Sequence, residues 1–170
     1  RGNTITMGNT SVEGILTFTG TNAPTGDINR SIALANSTIG GRINNNSTTV
    51  PLVFDGTFSA SGTSSRVMTL GGTNTGANEF KNTLVNPASP GILTLAKVDG
   101  GAWRLSGANT YTGQTNINNG TLCVASIADS GSSNLGVGTL IRIGNTSTTG
   151  ILNYTGSGST TSRTVQIGNN

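Results

Sequence analysis

The chain has 170 residues, enough for one domain, yet only 9% are charged and 4% aromatic, 26 are glycine, and the net charge is +3. This composition excludes a large aromatic core and points to backbone hydrogen bonding and packing of small residues as the sources of stability. The nine Lys and Arg spread from Arg1 to Arg163 with no aromatic cluster beside them, which argues against nucleic acid as a partner, and no apolar run approaches the ~20 residues of a membrane span.

In chain order the segments "TITMGN", "GILTFTG", "RSIALAN", "PLVFDG", "RVMTLGG", "GILTLAK", "AWRLSG", "TLCV", "LIRIGN", "GILNYTG" and "RTVQIGN" share one pattern. Two apolar side chains stand two residues apart, as in Leu16 and Phe18, Ile32 and Leu34, Met68 and Leu70, or Trp103 and Leu105. A period of two places both on one face of a strand, which reads as the buried face. Gly or Asn closes nine of these eleven segments, where positive φ and tight turns are tolerated. No window carries an apolar stripe of helical period with a capped start, so the expectation is an all-β chain with essentially no α-helix. The 32% hydrophobic content, arranged in alternating groups, argues against disorder.

Internal repetition comes next. "ITMGNTSVEGILTFTG" at 5–20 aligns without a gap to "IRIGNTSTTGILNYTG" at 141–156, an offset of 136. "NRSIALAN" at 29–36 aligns to "SRTVQIGN" at 162–169, an offset of 133, so related modules lie at 5–36 and 141–169. "SRVMTLGG" at 65–72 is a third relative, which gives Arg30, Arg66 and Arg163 equivalent places. A basic ladder for an anionic partner is one reading of these arginines. The favoured one is a solvated residue at each strand start whose stem covers apolar surface.

Short strands, Gly/Asn turns and repeated modules suit a β-sandwich or a β-solenoid. A sandwich needs more aromatics and more hairpin signals than the single Asn119-Gly120. The expectation is therefore one right-handed parallel β-helix, a β-solenoid, over 1–170, with about 20–25 residues per coil and some seven or eight coils. Asn9, Asn36, Asn145 and Asn169 are expected to stack as amide ladders at its corners.

"LTLAKVDGGAWRLSGANTYTGQTNINNGTLCVA" at 93–125 resembles the autotransporter-associated β-strand repeat, also called the passenger-associated transport repeat. The resemblance rests on Lys97, Gly101, Trp103, Leu105, Gly107, Asn109, Thr110, Tyr111, Thr112, Gly113, Thr115, Ile117, Gly120, Thr121 and Leu122. Gln114 departs from it, standing where a second glycine is common. The resemblance implies a right-handed parallel β-helix in secreted or surface-exposed bacterial proteins, and by itself no activity.

No histidine is present, so Ser-His and Cys-His nucleophiles and His-ligated metals are excluded within the chain. The acids Glu13, Asp27, Asp55, Glu79, Asp99 and Asp129 form no obvious local pair. Glu79 and Lys81 in "NEFKN" are the best local candidate for a lyase-type acid and base, read more simply as a surface ion pair. Cys123 reads as a small strand residue, with an intermolecular disulfide as the alternative if it points outward.

Thr4/Thr6, Thr17/Thr19, Thr73/Thr75 and Thr110/Thr112 are Thr-X-Thr pairs of the ice-binding kind at unequal spacings, and Asn36 and Asn46 open glycosylation sequons. No catalytic, cofactor or metal site and no enzyme activity is expected. The chain opens at Arg1, as a processed product or excised fragment would, and export is the expectation.

The functional expectation is a structural protein, secreted or at the bacterial cell surface, that forms part of a fibre, filament or stalk. Open solenoid ends would self-associate head to tail or join tandem neighbours. An adhesin or carbohydrate-binding module that takes surface glycans is the alternative, and a polysaccharide lyase the third.

Overall fold

The computed structural model describes residues 4–22, 27–131 and 133–168. Among them are fifteen strands and no helix. The chain first makes β1 (Ile5–Met7), β2 (Gly14–Phe18), β3 (Ile32–Leu34), β4 (Gly40–Asn45), β5 (Val53–Phe54) and β6 (Phe58–Ala60). Then come β7 (Arg66–Gly71), β8 (Glu79–Phe80), β9 (Leu93–Lys97), β10 (Ala102–Leu105) and β11 (Thr115–Ile117). The last are β12 (Gly120–Val124), β13 (Leu140–Ile143), β14 (Gly150–Tyr154) and β15 (Thr164–Ile167).

One sheet holds β1, β3 and β6; a second holds β2, β4, β7, β9, β11, β13 and β15; a third holds β5, β8, β10, β12 and β14. Every strand pairing is parallel, and no strand pairs with its neighbour in sequence. Each link is therefore a corner that carries the chain to another sheet, and the fold is a parallel β-solenoid. Even Asn119-Gly120 is such a corner, since β11 and β12 lie in different sheets.

Gly14, Gly41, Met68, Leu95, Thr115, Ile141 and Val165 stand one above another, which makes six turns. The first three take 27 residues each and the next 20, 26 and 24, so the turns are fewer and mostly longer than expected. The extra residues build a third side. Early in the chain it is the three-stranded sheet. Later it continues as an irregular stack, in which Thr110 N–H donates to Leu84 C=O (3.0 Å) and Val137 N–H to Tyr111 C=O (2.9 Å).

The repeated modules keep their pairing register. β1 meets β3 at Ile5↔Ile32 and Met7↔Leu34; β13 meets β15 at the corresponding Ile141↔Val165 and Ile143↔Ile167. Their turns also match, with φ of +78° at both Gly8 and Gly144. Asn9 Oδ1 accepts from the N–H groups of Ser11 and Val12, and Asn145 Oδ1 from those of Ser147 and Thr148. Yet β1 belongs to the three-stranded sheet and β13 to the seven-stranded one, so the two copies occupy different sides of the coil.

The expected ladder of Asn9, Asn36 and Asn145 is therefore not formed. Each of the two turn asparagines spends its oxygen on its own turn, Asn36 is exposed, and Asn169 lies outside the described residues. The amides that do connect turns are Asn45, Asn74 and Asn78, all buried. Asn78 Oδ1 accepts from Asn45 Nδ2 (2.6 Å) and Leu52 N–H (2.9 Å), while its Nδ2 donates to Asn74 Oδ1 and Ala102 C=O (both 2.9 Å). Asn78→Leu leaves these groups unpaired and is expected to cost about 2–3 kcal/mol, read as a lower urea midpoint.

The apolar pairs point inward as the alternation requires. Leu16, Ile43, Leu70, Lys97, Ile117, Ile143 and Ile167 form one inward row of the long sheet, with a lysine in the middle. Aromatics contribute more than composition implied, because Phe54, Phe58, Phe80, Trp103 and Tyr111 are all buried in the central turns. Phe54 lies 6.0 Å from Phe80 and 6.4 Å from Trp103 between ring centroids. At the last rung the inward Val165 and Ile167 are 48% and 70% exposed, since no described strand covers them.

Candidate functional site

The richest set of distinctive side chains lies in the coil around 95–124. Lys97 holds an inward strand position between Leu70 and Ile117, where an ammonium would be costly without partners. Its stem fills the aliphatic row, and Nζ emerges at the corner to donate to the carbonyls of Val98 (2.6 Å), Asp99 (2.7 Å) and Asn119 (2.9 Å). Burial pushes this ammonium down to about 8, against the pull of the Asp99 carboxylate. On the outer side of the corner Asp99 accepts from Gly72 N–H (2.8 Å) and pairs with Arg42 (2.5 Å).

Gly120 turns the next corner at φ +71°, and a Cβ there would strike Asp99 O, Gly101 O and Lys97 Nζ. Gly120→Ala is expected to cost well over 2 kcal/mol, because a collision adds to the left-handed backbone cost. Gly131, at φ +74° with open space around it, is the control: Gly131→Ala should cost about 1 kcal/mol in the same denaturation assay.

Trp103 Nε1 donates to Gly71 C=O one turn below (2.9 Å). Asn109 Oδ1 accepts from Leu84 N–H (2.7 Å) on the preceding turn, and its Nδ2 donates to Asn134 C=O (2.6 Å) on the following one. Tyr111 O–H lies 2.7 Å from Thr115 Oγ1, fully buried, and burial lifts the phenol well above its ordinary range. Gln114 is accommodated without loss of the strand bond: its C=O accepts from Leu95 N–H (3.1 Å). The polar groups of Lys97, Trp103, Asn109 and Tyr111 are thus committed to the fold.

The other residues singled out in the sequence do not converge. Arg66 and Arg163 occupy equivalent places in the long sheet, but Arg30 precedes β3 in another sheet and is exposed. Neither of the first two is a solvated strand-start residue. Arg66 (2% exposed) donates to the carbonyls of Ser64 (3.0 Å), Leu34 (3.4 Å) and Ala35. Arg163 (9% exposed) donates to Leu135 (3.1 Å), Gly136 (2.5 Å) and Ala128, with Asp129 3.5 Å away. Both guanidiniums reach back to carbonyls of the preceding turn, Leu34 and Ala35 for Arg66 and Ala128, Leu135 and Gly136 for Arg163, so they form no outward basic ladder.

Glu79 and Lys81 do not pair with each other either. Glu79 faces Arg104 at 3.8 Å, and Lys81 meets Asp27 at 2.5 Å. Among the described residues no three His, Cys, Asp or Glu side chains are grouped to hold a metal ion. Cys123 faces outward in the row between Arg104 and Asn153, partly exposed, and Asn153 Nδ2 lies 3.7 Å from its Sγ.

The Thr-X-Thr pairs are exposed but divided among different sides and corners, and Asn36 and Asn46 of the sequons are exposed. A shallow polar cleft of about 170 Å³ on the outer face of the long sheet is lined by Asn116, Asn118, Arg142, Gly144, Asn145 and Gly168.

The geometry defines a parallel β-solenoid in which one coil carries an internally bonded set of Lys, Trp, Asn and Tyr. Residues 95–124 match the family described as Passenger-associated-transport-repeat, which confirms the resemblance carried by 93–125. The adhesin BmaC autotransporter of Brucella suis biovar 1 (strain 1330) is 46% identical over 67 residues. That alignment takes in 39% of this chain and 2% of the relative's length. No solved structure matches.

Proposed function

We propose that the chain is a stretch of a bacterial passenger, secreted or displayed at the cell surface, that serves as a stiff β-solenoid shaft extended by axial stacking of further coils. The observation that carries this reading is the use of the repeat's polar residues. Lys97, Trp103, Asn109 and Tyr111 bind neighbouring turns and corners, so the motif is a device for stacking coils rather than a reaction centre. The half-covered β2 and the exposed Val165 and Ile167 at opposite ends of the long sheet suit continuation by tandem coils or by a second copy placed head to tail.

Fusion behind an export signal and ahead of an outer-membrane barrel tests display: proteinase added to intact cells should reach the chain. Electron microscopy of the native material should then resolve unbranched fibres or long stalks. Discrete compact particles confined inside the cell would contradict the proposal.

A second reading, adhesion through a lateral face, draws on the name of the 46% identical relative and on the cleft of Asn116, Asn118 and Arg142. Its test is binding on a glycan array that Arg142→Ala abolishes. An array without any bound glycan would remove it.

A further inference from the structure

The open edge of β14 has a recognisable missing neighbour. β13 and β15 reproduce the register of β1 and β3, and β14 corresponds to β2 residue by residue: Gly14 to Gly150, Ile15 to Ile151, Leu16 to Leu152, Thr17 to Asn153 and Phe18 to Tyr154. β2 is covered on its downstream side by β4, with Gly14↔Gly41, Ile15↔Arg42, Leu16↔Ile43, Thr17↔Asn44 and Phe18↔Asn45. The corresponding side of β14 has no partner among the described residues, because β14 ends its sheet.

We propose that this edge is the docking edge for a parallel strand with the chemistry of Gly41–Asn45. The strand has a glycine facing Gly150, a cation over the exposed Ile151, an inward aliphatic residue on Leu152, and two asparagines on Asn153 and Tyr154. The inference rests on the reading of the chain as a stretch of a longer solenoid and names the coil that comes next.

Three features fix these preferences. Gly41, which β4 sets against Gly14, stands where a Cβ would meet Leu34 Cδ2 and Met7 Cβ (2.8 and 2.9 Å), and Ile167 and Ile143 hold the corresponding places in the second module, so the residue facing Gly150 is expected to be glycine as well. Ile151 and Ile15 both face outward, 47% and 58% exposed, and β4 sets Arg42 beside the latter in register, its guanidinium held by Asn44 and Asp99. Phe18 C=O accepts from Asn46 N–H (2.8 Å) on the β4 side, so the equivalent Tyr154 C=O faces the open edge; alternation turns the N–H groups of Leu152 and Tyr154 the same way. A second folded copy cannot supply its own β4, which is already paired with β2 and β7.

The test is a graft. Asn36 and Asn169 correspond, so residues 1–169 joined directly to 37–170 place a second β4 where the next coil belongs. Hydrogen exchange should show the Leu152 and Tyr154 amides, open in the parent, slowed at least about 100-fold in the graft. A short graft, 1–169 followed by 37–47, gives the same readout should the long one aggregate. Unchanged exchange at both amides, or a grafted segment that stays unstructured on a folded parent, overturns the proposal. Protection that grows with the concentration of the ungrafted parent would identify a second copy as the occupant and equally overturn it. Failure of the graft with surface display intact would sink the partner strand alone, while failure of display would sink the passenger reading and leave the edge chemistry standing.

Discussion

Lys97→Ala is expected to destabilise the chain by about 3–5 kcal/mol, the combined cost of truncating a buried stem and leaving corner carbonyls unpaired. The loss has two parts, the aliphatic stem that completes the row between Leu70 and Ile117 and the donors that serve three corner carbonyls. Lys97→Met keeps most of the stem and none of the donors. It should recover part of the packing and leave a residual loss of about 1–3 kcal/mol for unpaired carbonyls.

The pH profile gives an independent reading of the same residue. Lys97 is held near 8 in the folded chain against 10.5 as the ordinary value, so between these limits the unfolded chain binds more protons and stability rises with pH. Tyr111 acts oppositely. Its phenol, ordinarily 10.0, is raised by burial, so above pH ~10 the unfolded state ionises first and stability falls. A stability maximum near pH 10 is expected, read from denaturant midpoints. Lys97→Met should flatten the rising limb, and Tyr111→Phe the falling one.

Trp103→Ala is expected to cost about 3–5 kcal/mol, the range for deleting a large buried aromatic. Trp103 is 1% exposed, stacks on Phe54, pairs in register with Leu122, and donates to Gly71 C=O. Trp103→Phe keeps most of the hydrophobic contact and drops the N–H, so it should lose the bond and a modest volume, about 1–2 kcal/mol in total. Unfolding followed by circular dichroism would rank the two. Equal costs would mean that the hydrogen bond to the lower turn outweighs the aromatic packing.

Much of this architecture could be read in the residues. The apolar pairs pointed inward because period two leaves them no other common face, and the 136-residue offset between modules reappeared as equal strand registers. β4 went unread because "GGRINN" has one aliphatic residue, Ile43, and gains its place from strands on both sides rather than from its own pattern. Arg66 and Arg163 were read as solvated strand-start residues, as charges ordinarily are, and Lys97 only as a motif position. Their carbonyl partners lie at corners, some of them one turn or more away, and no local pattern announces them.

The turn-joining amides at Asn45, Asn74 and Asn78 were hidden among many asparagines of similar local sequence. The repeat at 93–125 was legible as a motif. What its polar residues bind became visible only with the coils stacked.

The central claim is that successive windings stack in one column. Pulsed electron resonance between spin labels on its outward face measures this directly. Ile15, Arg42, Asn116, Arg142 and Gln166 share one outward row of the long sheet. With one label at Ile15, backbone separations of about 5, 19, 24 and 29 Å are expected to Arg42, Asn116, Arg142 and Gln166, set by ~4.8 Å per rung. A steady climb of that size along the series is the result this fold predicts. A Gln166 label as close to Ile15 as the Arg42 label, the outcome of two sheets folded face to face, would contradict it.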